Sequence, residues 1–337
     1  MSAPPRVVLV ATSPRTPPGL LSWPAWQALR SGPVLTGDPA SPQLPALEAA
    51  GVPVTLVPRT DGGADLARRL ADRARESGRV VWLADGGGDA LVRALAGDPG
   101  VALEVVPGSW DPPGARLLDV VAVMDRLRSP GGCPWDAAQT PTSLMPYLLE
   151  ETYEAYAALE DGDTDALREE LGDVLLQVAF HARLAQELPE GERWSIDEVA
   201  GDLVDKLVRR HPHVFAGGSA DDLEGSWDAL KAQEKGRTSV TEGVPLSQPA
   251  LSLAATLQKR AGKLSVPVPE YAGPGGELWA LVARCRAEGL DPEAELRAVA
   301  RGFRDRLAAV EREVRSEGGD PATLTTGQWR DRWARAE

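Results

Sequence analysis

The stretch from Pro146 to Gln186, PYLLEETYEAYAALEDGDTDALREELGDVLLQVAFHARLAQ, constrains this chain more than any other. Two runs of helical periodicity are joined by a short acidic turn, Glu160-Asp161-Gly162-Asp163. So short a connection makes the two helices antiparallel neighbours. The first run carries Glu150, Glu151 and Glu154, and the second carries Glu170 and Asp173. On a wheel of about 100° per residue, Leu148, Thr152, Ala155 and Leu159 form the core-facing stripe of the first run. Its three acids lie together at roughly 200–300° from Leu148. Leu167, Leu171, Val174, Leu175 and Val178 form the second stripe, with Glu170 and Asp173 at roughly 240–300°. An antiparallel pair is related by a two-fold rotation, which preserves the sense of that offset. The acids therefore point either towards each other or both outwards.

Outward acids would make an ordinary solvated face. Inward acids would repel and take up protons unless a cation lay between them. Hard divalent cations such as Mg²⁺ or Mn²⁺ prefer such oxygen ligands. Ala155, Ala158 and Gly172 keep the helix surfaces small nearby. Glycine costs a helix about 1 kcal/mol relative to alanine, so Gly172 suggests a closely approaching backbone. We read Glu150, Glu151, Glu154, Glu170 and Asp173 as a divalent-metal site between two helices.

EETYE followed by EELGDVLLQVAFHARLA resembles the EExxE…ExxD signature of the MazG family. The likeness extends upstream through DRLRSPGGCPWDAAQT (Asp125–Thr140). Downstream it runs through KLVRRHPHVFAG (Lys206–Gly217) and SWDALKAQEK (Ser226–Lys235). Several specific blocks in order carry more weight than EExxE alone. The resemblance implies a four-helix, all-α nucleoside triphosphate pyrophosphohydrolase that uses Mg²⁺, with Mn²⁺ as an alternative. It also implies a homodimer.

A length of 337 residues suggests two or three domains. A net charge of −14 argues against a nucleic-acid groove. Two cysteines, Cys133 and Cys285, make no disulfide framework and suit a reducing cytoplasm. The opening MSAPPRVVLVATSP reads as a short buried strand rather than a signal peptide. No run reaches the roughly 18–20 apolar residues that span a membrane.

Residues 1–115 alternate strands and helices, which indicates a small α/β layer. The strands are Arg6–Ala11, Val34–Thr36, Val52–Val57, Val80–Ala84 and Leu103–Val106; Ser22–Arg30 and Ala64–Glu76 are helical. Gly86-Gly87-Gly88 precedes a helical run from Asp89. Its spacing matches neither a P-loop nor GxGxxG, and a tight turn is the expectation. PGLLSWPAWQALRSGPVLTGD and VALEVVPGSW resemble parts of a shortened, degenerate tetrapyrrole methylase domain.

Residues 116–236 form the expected catalytic unit. It opens with a helix, Arg116–Arg128, whose stripe is Leu117, Val120, Val121, Met124 and Leu127. In the loop Ser129–Thr140, Trp135 either stacks on a nucleobase or plugs the core beneath the loop. Cys133 has no nearby activating partner and is read as structural. His181 reads as a satisfied core or interface histidine. Ser195-Ile196-Asp197-Glu198 is a capping box opening a helix that runs to about Arg210. Lys206, Arg209 and Arg210, with His211 and His213, form a cationic cluster. Lys206, Arg209, Arg210 and Lys231 are candidate contacts for triphosphate oxygens. For the residues at the helix end, complementing its dipole is the plainer role. Residues 237–249 read as a linker, and 250–337 as a degenerate second helical unit lacking an EExxE counterpart.

The expected activity is hydrolysis of nucleoside triphosphates, deoxynucleotides included, to monophosphate and pyrophosphate. One alternative restricts the substrate to a modified or phosphoribosyl nucleotide. Another makes the chain a regulatory scaffold with incidental turnover.

Overall fold

The computed structural model describes residues 4–58, 63–85, 89–216 and 239–336. The chain divides into two compact units, 1–207 and 208–337.

The first unit begins with five strands. These are β1 (Arg6–Thr12), β2 (Val34–Thr36), β3 (Val54–Leu56), β4 (Arg79–Asp85) and β5 (Ala102–Pro107). They pair in parallel in the order β3-β2-β4-β1-β5. Val8 of β1 stands opposite Val81 of β4 and Glu104 of β5. β1 reads VVLVA because a parallel strand is buried on both faces. Val8 and Val10 pack with helices α1 (Trp23–Leu29) and α2 (Leu44–Ala49). Val7 and Leu9 pack with α3 (Gly63–Ser77) and α4 (Asp89–Ala96) on the other face. The strand segments and two helices expected from the sequence are present; the short α2 was not foreseen.

Helices then take over: α5 (Arg116–Arg128), α6 (Pro134–Ala138), α7 (Pro141–Asp161), α8 (Thr164–Ala185) and α9 (Ile196–Arg210). Arg15, just past β1, forms ion pairs with Asp111 and with Asp119 of α5. This ties the helical region to the carboxyl edge of the sheet. α7 and α8 run antiparallel about Gly162, whose φ of 67° ends α7 in the left-handed conformation that glycine adopts without strain. Asp163 caps α8 by accepting from the backbone N–H groups of Asp165 and Ala166. α5 packs on this pair through Met124, Leu144, Ala179, Phe180 and Leu184.

The expected stripes need correction. On α7 the buried residues are Leu144, Ala155 and Ala158, while Leu148 is 39% and Leu159 62% exposed. Thr152 is exposed too. On α8, Leu171 and Val178 are exposed, whereas Gln177, Phe180 and Leu184 are buried. The contact seam is rotated towards the acids, so Glu151, Glu170 and Asp173 occupy half-buried positions within it. A stripe drawn from apolar residues alone misses a seam that includes carboxylates. Leu117, in the first turn of α5, is exposed as well, and the buried residue of that helix is Met124. Gly172 is exposed, and a Cβ built there meets nothing within 4 Å among the described residues. It therefore marks no close backbone approach.

The second unit is helical: α10 (Pro212–Phe215), α11 (Ala250–Gly262), α12 (Gly273–Ala287), α13 (Pro292–Ser316) and α14 (Thr326–Arg335). Val282, Val310 and Val314 are buried. Gln258 donates to the Trp279 carbonyl, joining α11 to α12. Arg306 lies over the Trp333 ring, joining α13 to α14. Among the described residues, no helix is long and apolar enough to cross a membrane.

Candidate active site

Glu151 and Glu154 stand on α7, three residues apart and so on neighbouring positions of one face. Glu170 reaches them from α8. One carboxylate oxygen from each of the three lies within 4.8 Å of the others. The structure thus resolves the orientation: the acids face each other across the pair. Asp173 and Glu150 complete the acidic field around Glu151. Among the described residues, no lysine or arginine forms an ion pair with any of the five.

The energetics follow. Partial burial, followed by the charges of Asp173, Glu154 and Glu150, raises the Glu151 carboxyl above the ordinary carboxylate range. Glu170 is raised in the same direction, first by desolvation and then by the charge of Glu154, with which it shares a hydrogen bond. Like charges held together without a counter-charge store repulsion that a cation relieves. Three facing carboxylates are the all-oxygen donor set that Mg²⁺ or Mn²⁺ accepts, and on that chemistry the residues fit the ion.

Beside the acids lies the segment from Ser129 to Thr140. Gly132 is required here: a Cβ would lie 2.2 Å from the Leu127 carbonyl oxygen and 2.5 Å from that of Arg126. Arg128, with only 5% of its side chain exposed, grips both carboxylate oxygens of Glu187. It also donates to the carbonyls of Asp136 and Gln139. This fixes α6, whose Trp135 is 52% exposed and therefore no core plug. The Trp135 ring meets Tyr147 edge-on at a centroid distance of 6.1 Å. Tyr147 lies one turn before Glu151, so two accessible aromatic rings stand near the acids.

Lys206 is half-buried near the end of α9, and Arg209 and Arg210 form its last turn. Both arginines belong to the second unit. The His211 and His213 rings stand 5.6 Å apart. Lys231 and Trp227 lie outside the described residues, as does Gly86-Gly87-Gly88. His181 donates through Nδ1 to the Gln177 backbone carbonyl oxygen at 2.8 Å, in keeping with a satisfied histidine at the core edge. Cys133 is half-buried and is a free thiol. Ser195 donates to the Glu198 carboxylate through its backbone N–H, the half of the capping box that the glutamate supplies, while its hydroxyl also donates to Glu198 and accepts from the Asp197 N–H. Sequence reasoning missed Tyr147 and Gln177; their spacings, four residues before Glu151 and four after Asp173, were the available signal.

A helical pair presenting clustered carboxylates in this way makes an acid-lined site of the kind that suits a divalent cation, and comparison with known proteins specifies the class. Residues 139–215 match the family model described as the MazG nucleotide pyrophosphohydrolase domain. The chain is 42% identical over 241 residues to a nucleoside triphosphate pyrophosphohydrolase of Mycolicibacterium smegmatis, covering 67% of this chain and 72% of that protein. It is 37% identical over 232 residues to the nucleoside triphosphate pyrophosphohydrolase/pyrophosphatase MazG of Thermotoga maritima, covering 61% and 89%. An uncharacterised 26.1 kDa protein of Streptomyces cacaoi is 53% identical over 233 residues, covering 66% and 95%. The chain belongs to the MazG family and is an enzyme of the nucleoside triphosphate pyrophosphohydrolase class.

Proposed function

We propose that the chain hydrolyses nucleoside and deoxynucleoside triphosphates to the monophosphate and pyrophosphate in a reaction that requires Mg²⁺, with Mn²⁺ as a substitute. Glu150, Glu151, Glu154, Glu170 and Asp173 would hold the ion. When bound, it neutralises phosphate oxygens and makes water a better nucleophile. The water oxygen bonds to the α-phosphorus, and the bond from that phosphorus to the bridging oxygen of the β-phosphate breaks. Glu150 or Glu151 takes the water's proton. The one that takes the proton serves as base rather than as a ligand of the ion. The observation that carries the reading is the trio Glu151, Glu154 and Glu170, with oxygens within 4.8 Å.

Trp135, with Tyr147 beside it, receives the nucleobase; their exposed, edge-on rings support this. Lys206, Arg209, Arg210 and Lys231 balance charge on the departing pyrophosphate. Such an activity suits housecleaning of the nucleotide pool in the cytoplasm, a compartment in which free Cys133 and Cys285 stay reduced.

The active form is a homodimer. Leu149, Tyr153 and Tyr156 of α7, Leu171, Leu176 and Val178 of α8, and Leu203, Val204 and Leu207 of α9 are all exposed. Contiguous apolar faces of this kind mark interaction surfaces. In this reading α5, α7, α8 and α9 make the four-helix catalytic unit, within residues 116–236. Residues 1–115 are a degenerate methylase-like domain, supported by the parallel sheet with helices on both faces. Residues 250–337, beyond the linker 237–249, are a degenerate second unit.

The test is a panel of canonical and oxidised nucleoside and deoxynucleoside triphosphates, assayed for pyrophosphate and for orthophosphate. It is run with Mg²⁺, with Mn²⁺ and with chelator. Release of pyrophosphate that disappears with chelator is the expected result. Orthophosphate as the first product would move attack to the γ-phosphorus and overturn the reading.

A further inference from the structure

Among the described residues, Gln177 is the only polar side chain of α7 and α8 that is buried, at 5% exposure. Its Oε1 is shut from solvent and accepts no hydrogen bond among the described residues. A buried carbonyl oxygen in that condition opposes folding, and proteins rarely retain one without a use. Leucine or methionine would fill the same space without that cost.

Its position gives the use. Gln177 follows Asp173 by four residues and Glu170 by seven. At about 100° per residue these offsets place the three within roughly 60° of one another on α8, with Gln177 between the two acids. The same line faces α7, because Glu170 meets Glu154 there and the Asp173 charge acts on Glu151. Gln177 is therefore the next rung of the acid ladder, about 6 Å along the axis from Asp173. It carries an acceptor where the rungs before it carry anionic ligands. Mg²⁺ and Mn²⁺ keep several of their waters when protein carboxylates bind them. Those waters are polarised donors, and acceptors just outside the ligand set orient them.

We infer that Gln177 is a positioning residue of the acid site, its side-chain carbonyl oxygen accepting a hydrogen bond from a water of the cation that Glu151, Glu154 and Glu170 hold. This rests on the metal reading given above, and it adds a neutral residue that no acidic signature contains.

The experiment is a Mn²⁺ titration of the full chain, with free Mn²⁺ read by electron paramagnetic resonance, beside the thermal midpoint of the metal-free protein. Wild type, Gln177→Met, Gln177→Asn, Glu151→Gln and Phe180→Leu are compared below their midpoints. Gln177→Met should weaken Mn²⁺ binding about tenfold to a hundredfold, while its metal-free midpoint stays level or rises. Gln177→Asn keeps an amide but withdraws the oxygen by one methylene, and should weaken binding as well; it serves if the methionine variant does not fold. Phe180→Leu should lower the midpoint and leave Mn²⁺ affinity unchanged. Wild-type affinity in a folded Gln177 variant overturns the inference. So does equal weakening by Phe180→Leu, which would mean that any loosening of α8 has the same effect. Failure of the metal reading itself looks different: wild type then binds no Mn²⁺, or Glu151→Gln binds it as well as wild type does.

Discussion

Glu170 on α8 and Glu154 on α7 face each other across the helix pair closely enough to share a hydrogen bond. Two carboxylates in that relationship hold a proton more tightly than either would alone. Such a contact is a liability in an empty scaffold and an asset in a cation site.

The pH dependence of stability follows from it. The folded-state pKa of Glu170 is raised, first by desolvation and then by Glu154. The folded protein therefore binds this proton more tightly than the unfolded chain. The resulting destabilisation is absent below the unfolded value, grows as pH rises and is complete above the folded pKa. Glu170→Gln, which imitates the protonated form, should raise the metal-free thermal midpoint near pH 8 and leave it unchanged near pH 4. Glu187 has the opposite sign. The Arg128 hydrogen bond lowers its pKa, so its stabilisation is present above the unfolded value and lost as pH falls through the folded one. Glu187→Gln should therefore cost stability at neutral pH and little in strong acid. Scans of the three proteins across pH check both signs.

The turn between the acid helices sets their register. Gly162 needs a φ of 67°, and alanine there costs about 1–2 kcal/mol. Asp163→Ala removes the α8 cap and costs about 1 kcal/mol. Denaturant unfolding of the two variants should give losses of that size. A loss near zero for Gly162→Ala would mean that the turn adopts another conformation.

Trp135 and Gly132 should separate binding from chemistry. Trp135→Ala should raise KM with a smaller change in kcat, because base stacking is worth about 1–3 kcal/mol. Gly132→Ala drives a methyl group into the backbone of Leu127 and must displace α6. It should lower kcat/KM by about tenfold or more. Steady-state kinetics on one triphosphate decide both, and an unchanged KM in Trp135→Ala would remove that ring from the nucleotide site.

Much of this was legible in the residues. VVLVA could only be a strand buried on both faces, and EDGD between two periodic runs could only be a tight antiparallel turn. The acids were legible as a set but not in orientation, because wheel geometry gives the same offset for facing and outward sets. The seam itself was misread: Leu148, Leu159, Leu171 and Val178 look like core in a one-chain reading and are exposed here. Glu151 and Asp173 look like surface and lie in the seam. Apolar periodicity records every face that is ever covered, whether by the same chain or by another. Gly172 misled for a different reason, since a helical glycine with open space around it carries no packing information. Gln177 went unweighed because its spacing from Asp173 takes on meaning only once its burial is known.

The most direct measurement of the central claim is hydrolysis of a deoxynucleoside triphosphate in ¹⁸O-labelled water with Mg²⁺, for wild type and for Glu151→Gln. The account predicts label in the monophosphate alone, unlabelled pyrophosphate, and turnover reduced at least a thousandfold in the variant, on the order of losing an essential catalytic group. Label in the pyrophosphate, or wild-type turnover by Glu151→Gln, would contradict it.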